Sequence, residues 1–157
     1  MQSLADLIAF NEKHAAREMP YFGQELFLRA ERTTGLDDPT YRAALEACRR
    51  QARTEGMDAA LATHRLDALV APTRGPAWLT DLVHGDREGA AFSSLPAVAG
   101  YPHVTVPMGQ VAGLPVNLSF AGAAWSEPVL IRLAYAFEQA TRARFAPALA
   151  RGAAQSA

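Results

Sequence analysis

Serine, histidine and aspartate can together carry acyl transfer: the hydroxyl attacks, the imidazole takes its proton, and the carboxylate holds the imidazole in place. The chain offers these types at Ser93 and Ser94, His84 and His103, and Asp81 and Asp86. No serine sits in a G-x-S-x-G turn, and any chain of this length supplies such a set by composition. A helix cap at Ser94 and histidines in surface or hydrogen-bonded loop positions account for the same residues, and that reading is preferred. His14, His64, His84 and His103 form neither an H-x-x-x-H nor an H-E-x-x-H pair, so the spacing does not suit zinc. Asp81, Asp86 and Glu88 read as solvated loop charges. Gly75, Gly85 and Gly89 are too widely spaced for a phosphate-binding turn, and no cofactor is expected. Lys13 is the only lysine, and a lysine serves as a base only when burial or neighbours lower its pKa beside a hydroxyl. An exposed helix charge is the simpler reading of it. Trp78, between Pro76 and Leu79 in a long polar stretch, either anchors that stretch or lines a pocket, and the anchor is preferred.

These residues need a frame. At 157 residues the chain is one domain's worth, and a compact domain of that size buries roughly 70% of the surface its unfolded chain exposes. Half the residues are apolar and 20% are charged, the balance of an ordinary globular protein. Fifteen basic residues face sixteen acidic ones without a basic block, which argues against nucleic-acid and anionic-membrane partners. Arg49, Arg50 and Arg53 read as the wet face of a helix. The single cysteine, Cys48, excludes an internal disulfide and any cysteine-cluster metal site. The opening "MQSLADLIAFNEKH" lacks the basic start and apolar middle of a secretion signal, and no run is long enough to span a bilayer, so a cytoplasmic location is expected.

The first 65 residues read as helical. Ser3 and Asp6 form a capping pattern for a helix to about Arg17, Met19-Pro20 stops it, and a second helix fits Gln24 to Arg32, with Gly35 just past its end. Asp38-Pro39 starts a third, with Tyr41, Ala44, Leu45 and Cys48 on one face, and Thr54 can cap a fourth. The texture then changes. "LDALVAP" reads as a buried strand ended by proline, and Thr73 to Ser93 is long, polar and aperiodic. Ser94 to Ala99 fits one or two helical turns. "HVTVPMG" and "GLPVNLSFAG" read as an antiparallel hairpin with Val116, Leu118 and Phe120 on a buried face and Asn117 and Ser119 on a polar one. Pro107 and Pro115 should lie at strand ends, bulges or edges. Ser126 caps a last helix with Leu130, Leu133, Phe137 and Ala140 on one stripe, running to about Phe145.

In order, "LDALVAPT", "GPAW", "SLPAVAGYPHVTVPMG", "GLPVNLSFAG" and "WSEPVLIRLAYAFEQAT" resemble the C-terminal part of amidase signature enzymes, the serine amide hydrolases, most of all the branch with bacterial peptide amidases. The resemblance runs from the "SLADLIAFNEKH" helix to about Ala148. It departs at Asn117, where the family usually has glycine.

The resemblance implies an α/β fold, the C-terminal portion of a mixed β-sheet flanked by helices. Residues 1–157 are then a single unit and a partial amidase domain, helical over 1–65, α/β over 66–148 and a tail over 149–157. It also implies that a serine nucleophile, a second serine on a cis peptide and a lysine base lie in an N-terminal part not represented here, so this chain is expected to be inactive alone. The expected partner is that catalytic part or a second copy of this chain. A non-catalytic module that pairs with another chain is the competing expectation. Carried over residue by residue, Pro72, Thr73, Pro76, Trp78, Asp81 and Ser94 become candidates for lining a substrate cleft, as contacts and not catalysts. The branch implies small amides or C-terminal peptide amides as substrates.

Overall fold

The computed structural model describes residues 2–86, 89 and 91–146. The tail expected over 149–157 lies outside these residues. Contacts divide the chain into two compact units, the first made of the described residues of Met1–Cys48 and Trp78–Glu88, the second of those of Arg49–Ala77 and Gly89–Ala157.

In the first unit, helix α1 (Leu4–Lys13) opens with the expected capping box, the Asp6 amide donating to Ser3 Oγ at 3.1 Å and the Ser3 amide to Asp6 Oδ2 at 3.2 Å. The helix breaks at His14, whose ring lies 4.5 Å from that of Phe10 and is tilted 42° to it, and resumes as the single turn α2 (Ala15–Glu18), so the continuous helix expected to Arg17 is two pieces. Helix α3 (Glu25–Glu31) packs against α1, and Gln24 ties them by donating to the Ile8 carbonyl and accepting from Asn11.

Helix α4 (Pro39–Ala52) starts where Asp38 accepts from the Thr40 amide at 2.7 Å, with Pro39 at its first position. The face expected from Tyr41, Ala44, Leu45 and Cys48 is not buried: Leu45 is half-buried and the other three are exposed. Thr54 caps nothing. The helix widens into a π-type turn, Arg53–Met57, and continues as α5 (Asp58–His64). Gly56 permits this, since a Cβ there would stand 2.4 Å from the Gln51 carbonyl oxygen.

The second unit is built on a three-stranded sheet in the order β1-β3-β2, antiparallel throughout, with β1 at Leu69–Pro72, β2 at His103–Val111 and β3 at Leu114–Ala121. β2 and β3 form the expected hairpin. Its two-residue turn places Ala112 at φ 51° and Gly113 at φ 79°, the doubly left-handed turn that matches strand twist. Pro107 lies beside the register shift of β2, and Pro115 lies where β3 has no β1 neighbour, so neither interrupts a ladder that needs its N–H.

Both faces of the sheet are covered. On one, Val104, Val106, Leu118 and Phe120 meet Leu130, Leu133, Ala134 and Phe137 of helix α7 (Glu127–Thr141). On the other, Ala121 and Leu69 meet Ala52, Met57, Ala99, Phe92 and Tyr101, with Ala99 ending helix α6 (Ser94–Ala99). Ser119 is therefore fully buried, which corrects the expectation of one buried and one polar face. α7 stops at Arg142, short of Phe145, because Arg142 takes a left-handed backbone. Ser126 does not cap it with its side chain; its hydroxyl donates back to the Ala123 carbonyl at 2.7 Å. No helix among the described residues is long and apolar enough to cross a membrane.

Candidate functional site

β1 ends at Pro72, and the next residue ties the sheet together. The Thr73 amide donates to the Asn117 carbonyl at 2.8 Å, and its carbonyl accepts from the Phe92 amide at 3.1 Å. The long segment 73–93 thus leaves the sheet and returns to it at one residue. The Thr73 Oγ1 lies 2.7 Å from both Thr105 Oγ1 and Ser119 Oγ. Side chains of β2 and β3 therefore meet one hydroxyl at the end of β1.

Burial sets the direction of this hydroxyl chain. Ser119 is fully buried and its side chain has Thr73 as its one partner among the described residues. An unmet buried donor costs more than an unmet second lone pair, so Ser119 donates to Thr73. Thr73 then donates to Thr105, and Thr105 at the exposed end keeps a polarised O–H. One pair along the same face is His103, opposite Ala121. Its Nε2 is buried without a partner among the described residues, and its ring stands edge-on to Phe92 at 5.9 Å.

A second polar group lies on the same unit. Arg53 Nε donates to the Ala99 carbonyl at 2.6 Å, and its guanidinium sits 5.6 Å from the centre of the Tyr101 ring. The Tyr101 hydroxyl donates to the Asp58 carboxylate, 2.9 Å from one oxygen and 3.0 Å from the other. Burial first, and the Asp58 anion second, push the Tyr101 phenol above its ordinary range, with Arg53 opposing them. Arg53, Tyr101, Gly100, Trp125 and Glu127 line a hollow of about 420 Å³.

Trp78 and Asp81 lie on the first unit, where they line a hollow of about 620 Å³ with Leu79, Leu82 and Gly85. Trp78 Nε1 donates to Asp86 at 3.3 Å. Asp81 shapes its own turn: one oxygen accepts from the Val83 and His84 amides at 2.9 Å each, and the other lies 3.0 Å from His84 Nδ1. Those bonds, the His84 amide first, hold the Asp81 carboxyl below the usual carboxylate range.

Of the six residues expected to line a cleft, Pro72 and Thr73 close the strand, Pro76 is half-buried beyond it, and Trp78 and Asp81 share the hollow of the first unit. Ser94 is the exposed first residue of α6 after Ser93, which holds the cap position without a side-chain bond. Neither His84 nor His103 touches a serine hydroxyl among the described residues, and no group of three metal-ligating side chains occurs among them. Lys13 is the exposed last residue of α1. Sequence reasoning missed Thr105, Ser119, Arg53, Asp58 and Tyr101. The one local signal was the hydroxyl in each arm of the hairpin, "HVTV" and "NLSF", which the register sets opposite one another.

No family model matches the chain. It is 38% identical over 149 residues to a probable amidase of Arabidopsis thaliana, matching 94% of this chain and 26% of that one. A putative amidase of Schizosaccharomyces pombe is 31% identical, with 88% and 24% covered. Among solved structures, the native peptide amidase of Stenotrophomonas maltophilia is 58% identical with a TM-score of 0.85, covering 94% of this chain and 29% of that one. The peptide amidase bound to its competitive inhibitor chymostatin is 57% identical with a TM-score of 0.90. An aryl acylamidase of the amidase signature family, 18% identical at a TM-score of 0.53, shares the fold. The chain thus spans about a quarter of the curated relatives it matches and under a third of the peptide amidases. Fold, motif order and similarity over nearly the whole chain agree: it belongs to the amidase signature family and corresponds to a C-terminal part of such an enzyme, with peptide amidases among the proteins it is similar to.

Proposed function

We propose that this chain is the C-terminal part of a serine amide hydrolase that cleaves a carboxamide or peptide-amide C–N bond to an acid plus ammonia or an amine. The observation that carries this reading is the 58% identity to a peptide amidase over 94% of this chain and only 29% of that one. On this reading the chain supplies scaffold and cleft contacts, while the nucleophile and base come from an N-terminal catalytic part. Pro72, Thr73, Pro76, Trp78, Asp81 and Ser94 contribute to the cleft. Thr73 does so by holding the base of the 73–93 segment, and Trp78 by offering an indole to an apolar substrate neighbour. The setting is cytoplasmic, and the substrates are small amides and C-terminal peptide amides.

The test is ammonia release from a panel of peptide amides, run on the chain alone and on the chain combined with an N-terminal amidase part. Activity in the combined sample only, and labelling of the N-terminal part only by a serine-directed fluorophosphonate, is the expected result. Stoichiometric labelling of this chain at Ser93 or Ser94 would replace the reading with an autonomous hydrolase.

A further inference from the structure

Arg53 and Glu127 line one hollow of about 420 Å³ and carry opposite charges, yet neither forms an ion pair among the described residues. The guanidinium is already fixed in place. Its Nε donates to the Ala99 carbonyl at 2.6 Å, and it sits 5.6 Å from the centre of the Tyr101 ring. Gly100 leaves room for Nη2, because a Cβ there would stand 3.3 Å from it. The terminal nitrogens have no hydrogen-bond partner among the described residues, and the Asp58 carboxylate of the same cluster is engaged by the Tyr101 hydroxyl. A fixed fork with free nitrogens is the form in which arginine takes a carboxylate.

Trp125 lines the same hollow from the turn before α7. The Ser126 amide and hydroxyl both donate to the Ala123 carbonyl, at 3.2 and 2.7 Å, and close a turn whose third residue is Trp125. That residue is left-handed, φ 65°, a state for which turns prefer glycine. The indole gains no burial in return, since Trp125 is 88% exposed. Backbone strain of this kind gathers at ligand-binding positions, where a particular side chain must be presented. Glu127 follows two residues later and is exposed, so its carboxylate and the indole are offered from one short segment.

We propose that this hollow binds a small α-amino acid with an apolar side chain, as its zwitterion. The Arg53 fork takes the carboxylate, Glu127 takes the ammonium, and Trp125 with Pro102 covers the side chain. A simple anion would meet the Glu127 charge, and a simple cation the Arg53 charge. A molecule carrying both charges satisfies both residues, which is how the site discriminates. The volume is that of a small-molecule site.

The test titrates this chain with L-leucine and follows tryptophan emission, which comes from Trp78 and Trp125 alone. An exposed indole emits at long wavelength, so covering Trp125 gives a saturable blue shift, and Trp125→Phe abolishes it. L-leucinamide lacks the carboxylate and N-acetyl-L-leucine lacks the ammonium, and each is expected to bind roughly tenfold more weakly than L-leucine. Glu127→Gln, at an exposed position, is expected to remove the preference over N-acetyl-L-leucine and to keep the preference over L-leucinamide. Arg53→Lys, with its fold checked by circular dichroism, is expected to weaken L-leucine binding roughly tenfold, because an ammonium does not replace the fork. The comparison of the three ligands on the wild type stands even if that variant does not fold. None of these measurements needs an N-terminal amidase part, so amide hydrolysis is tested separately. The proposal is overturned by the absence of a saturable shift, by a shift that survives in Trp125→Phe, or by equal affinity for the three ligands. Folded Glu127→Gln or Arg53→Lys chains that bind as the wild type does overturn it as well.

Discussion

Ser119, fully buried in the central strand, is hydrogen-bonded to Thr73 across 2.7 Å, although the two lie 46 residues apart. Thr73 passes the hydrogen bond on to Thr105 at the same distance, and its backbone holds both ends of the 73–93 segment. The base of the loop and the pairing of three strands therefore depend on one another.

Removing the middle of this chain should cost more than removing its end. Thr73→Val keeps the volume but leaves the buried Ser119 donor unmet, a loss of about 1–3 kcal/mol, whereas Ser119→Ala deletes one neutral bond worth about 1 kcal/mol. In the double variant the losses should sum to less than the two singles, since Ser119 no longer has a donor to strand. Urea unfolding monitored by circular dichroism measures all three. If Ser119→Ala proves the costlier single change, the assigned direction is reversed.

Gly56→Ala tests the wide turn after α4. The added methyl meets the Gln51 backbone oxygen at 2.4 Å, and backbone cannot step aside as a flexible side chain can. A destabilisation of about 1–3 kcal/mol is expected from that overpacking. Gly75→Ala, with nothing within 4 Å of its added carbon, is the matched control and should change stability little. Thermal melts of the two variants beside the parent settle the comparison.

Tyr101 predicts an alkaline limb in stability. A phenol whose folded pKa lies above its ordinary value of 10.0 contributes stability that is fully present below that value. The contribution is lost as pH rises through the raised folded pKa, when a phenolate would face the Asp58 carboxylate at 2.9 Å. Tyr101→Phe should remove this limb above pH 10 while leaving the profile at neutral pH parallel to the wild type. Absorbance titration of the phenols, with Tyr101 identified by difference against the variant, reads the shift directly. A Tyr101 midpoint at or below 10.0 would contradict it.

What was legible in the sequence is what neighbours along the chain determine. The Ser3–Asp6 cap, the Leu130, Leu133 and Phe137 positions of the α7 stripe and the pairing of the β2–β3 hairpin all rest on spacings of two to four residues and formed as read, whereas Ala140 is exposed and the polar face expected of Ser119 is buried. The block order from "LDALVAPT" to "WSEPVLIRLAYAFEQAT" likewise identified the family, because a motif series is a property of the chain itself. Strand register and helix packing decided the rest. Thr73 meets Thr105 and Ser119 only because β3 lies between β1 and β2, and Ser119 became buried only because α6 and the turn after α4 cover its face. Tyr101 reached Asp58, and Arg53 reached Ala99, across 43 and 46 residues. Local preference carries no record of such pairings. The left-handed, uncovered Trp125 belongs to the same class, since its backbone state and its exposure follow from what the folded chain surrounds and what it leaves open.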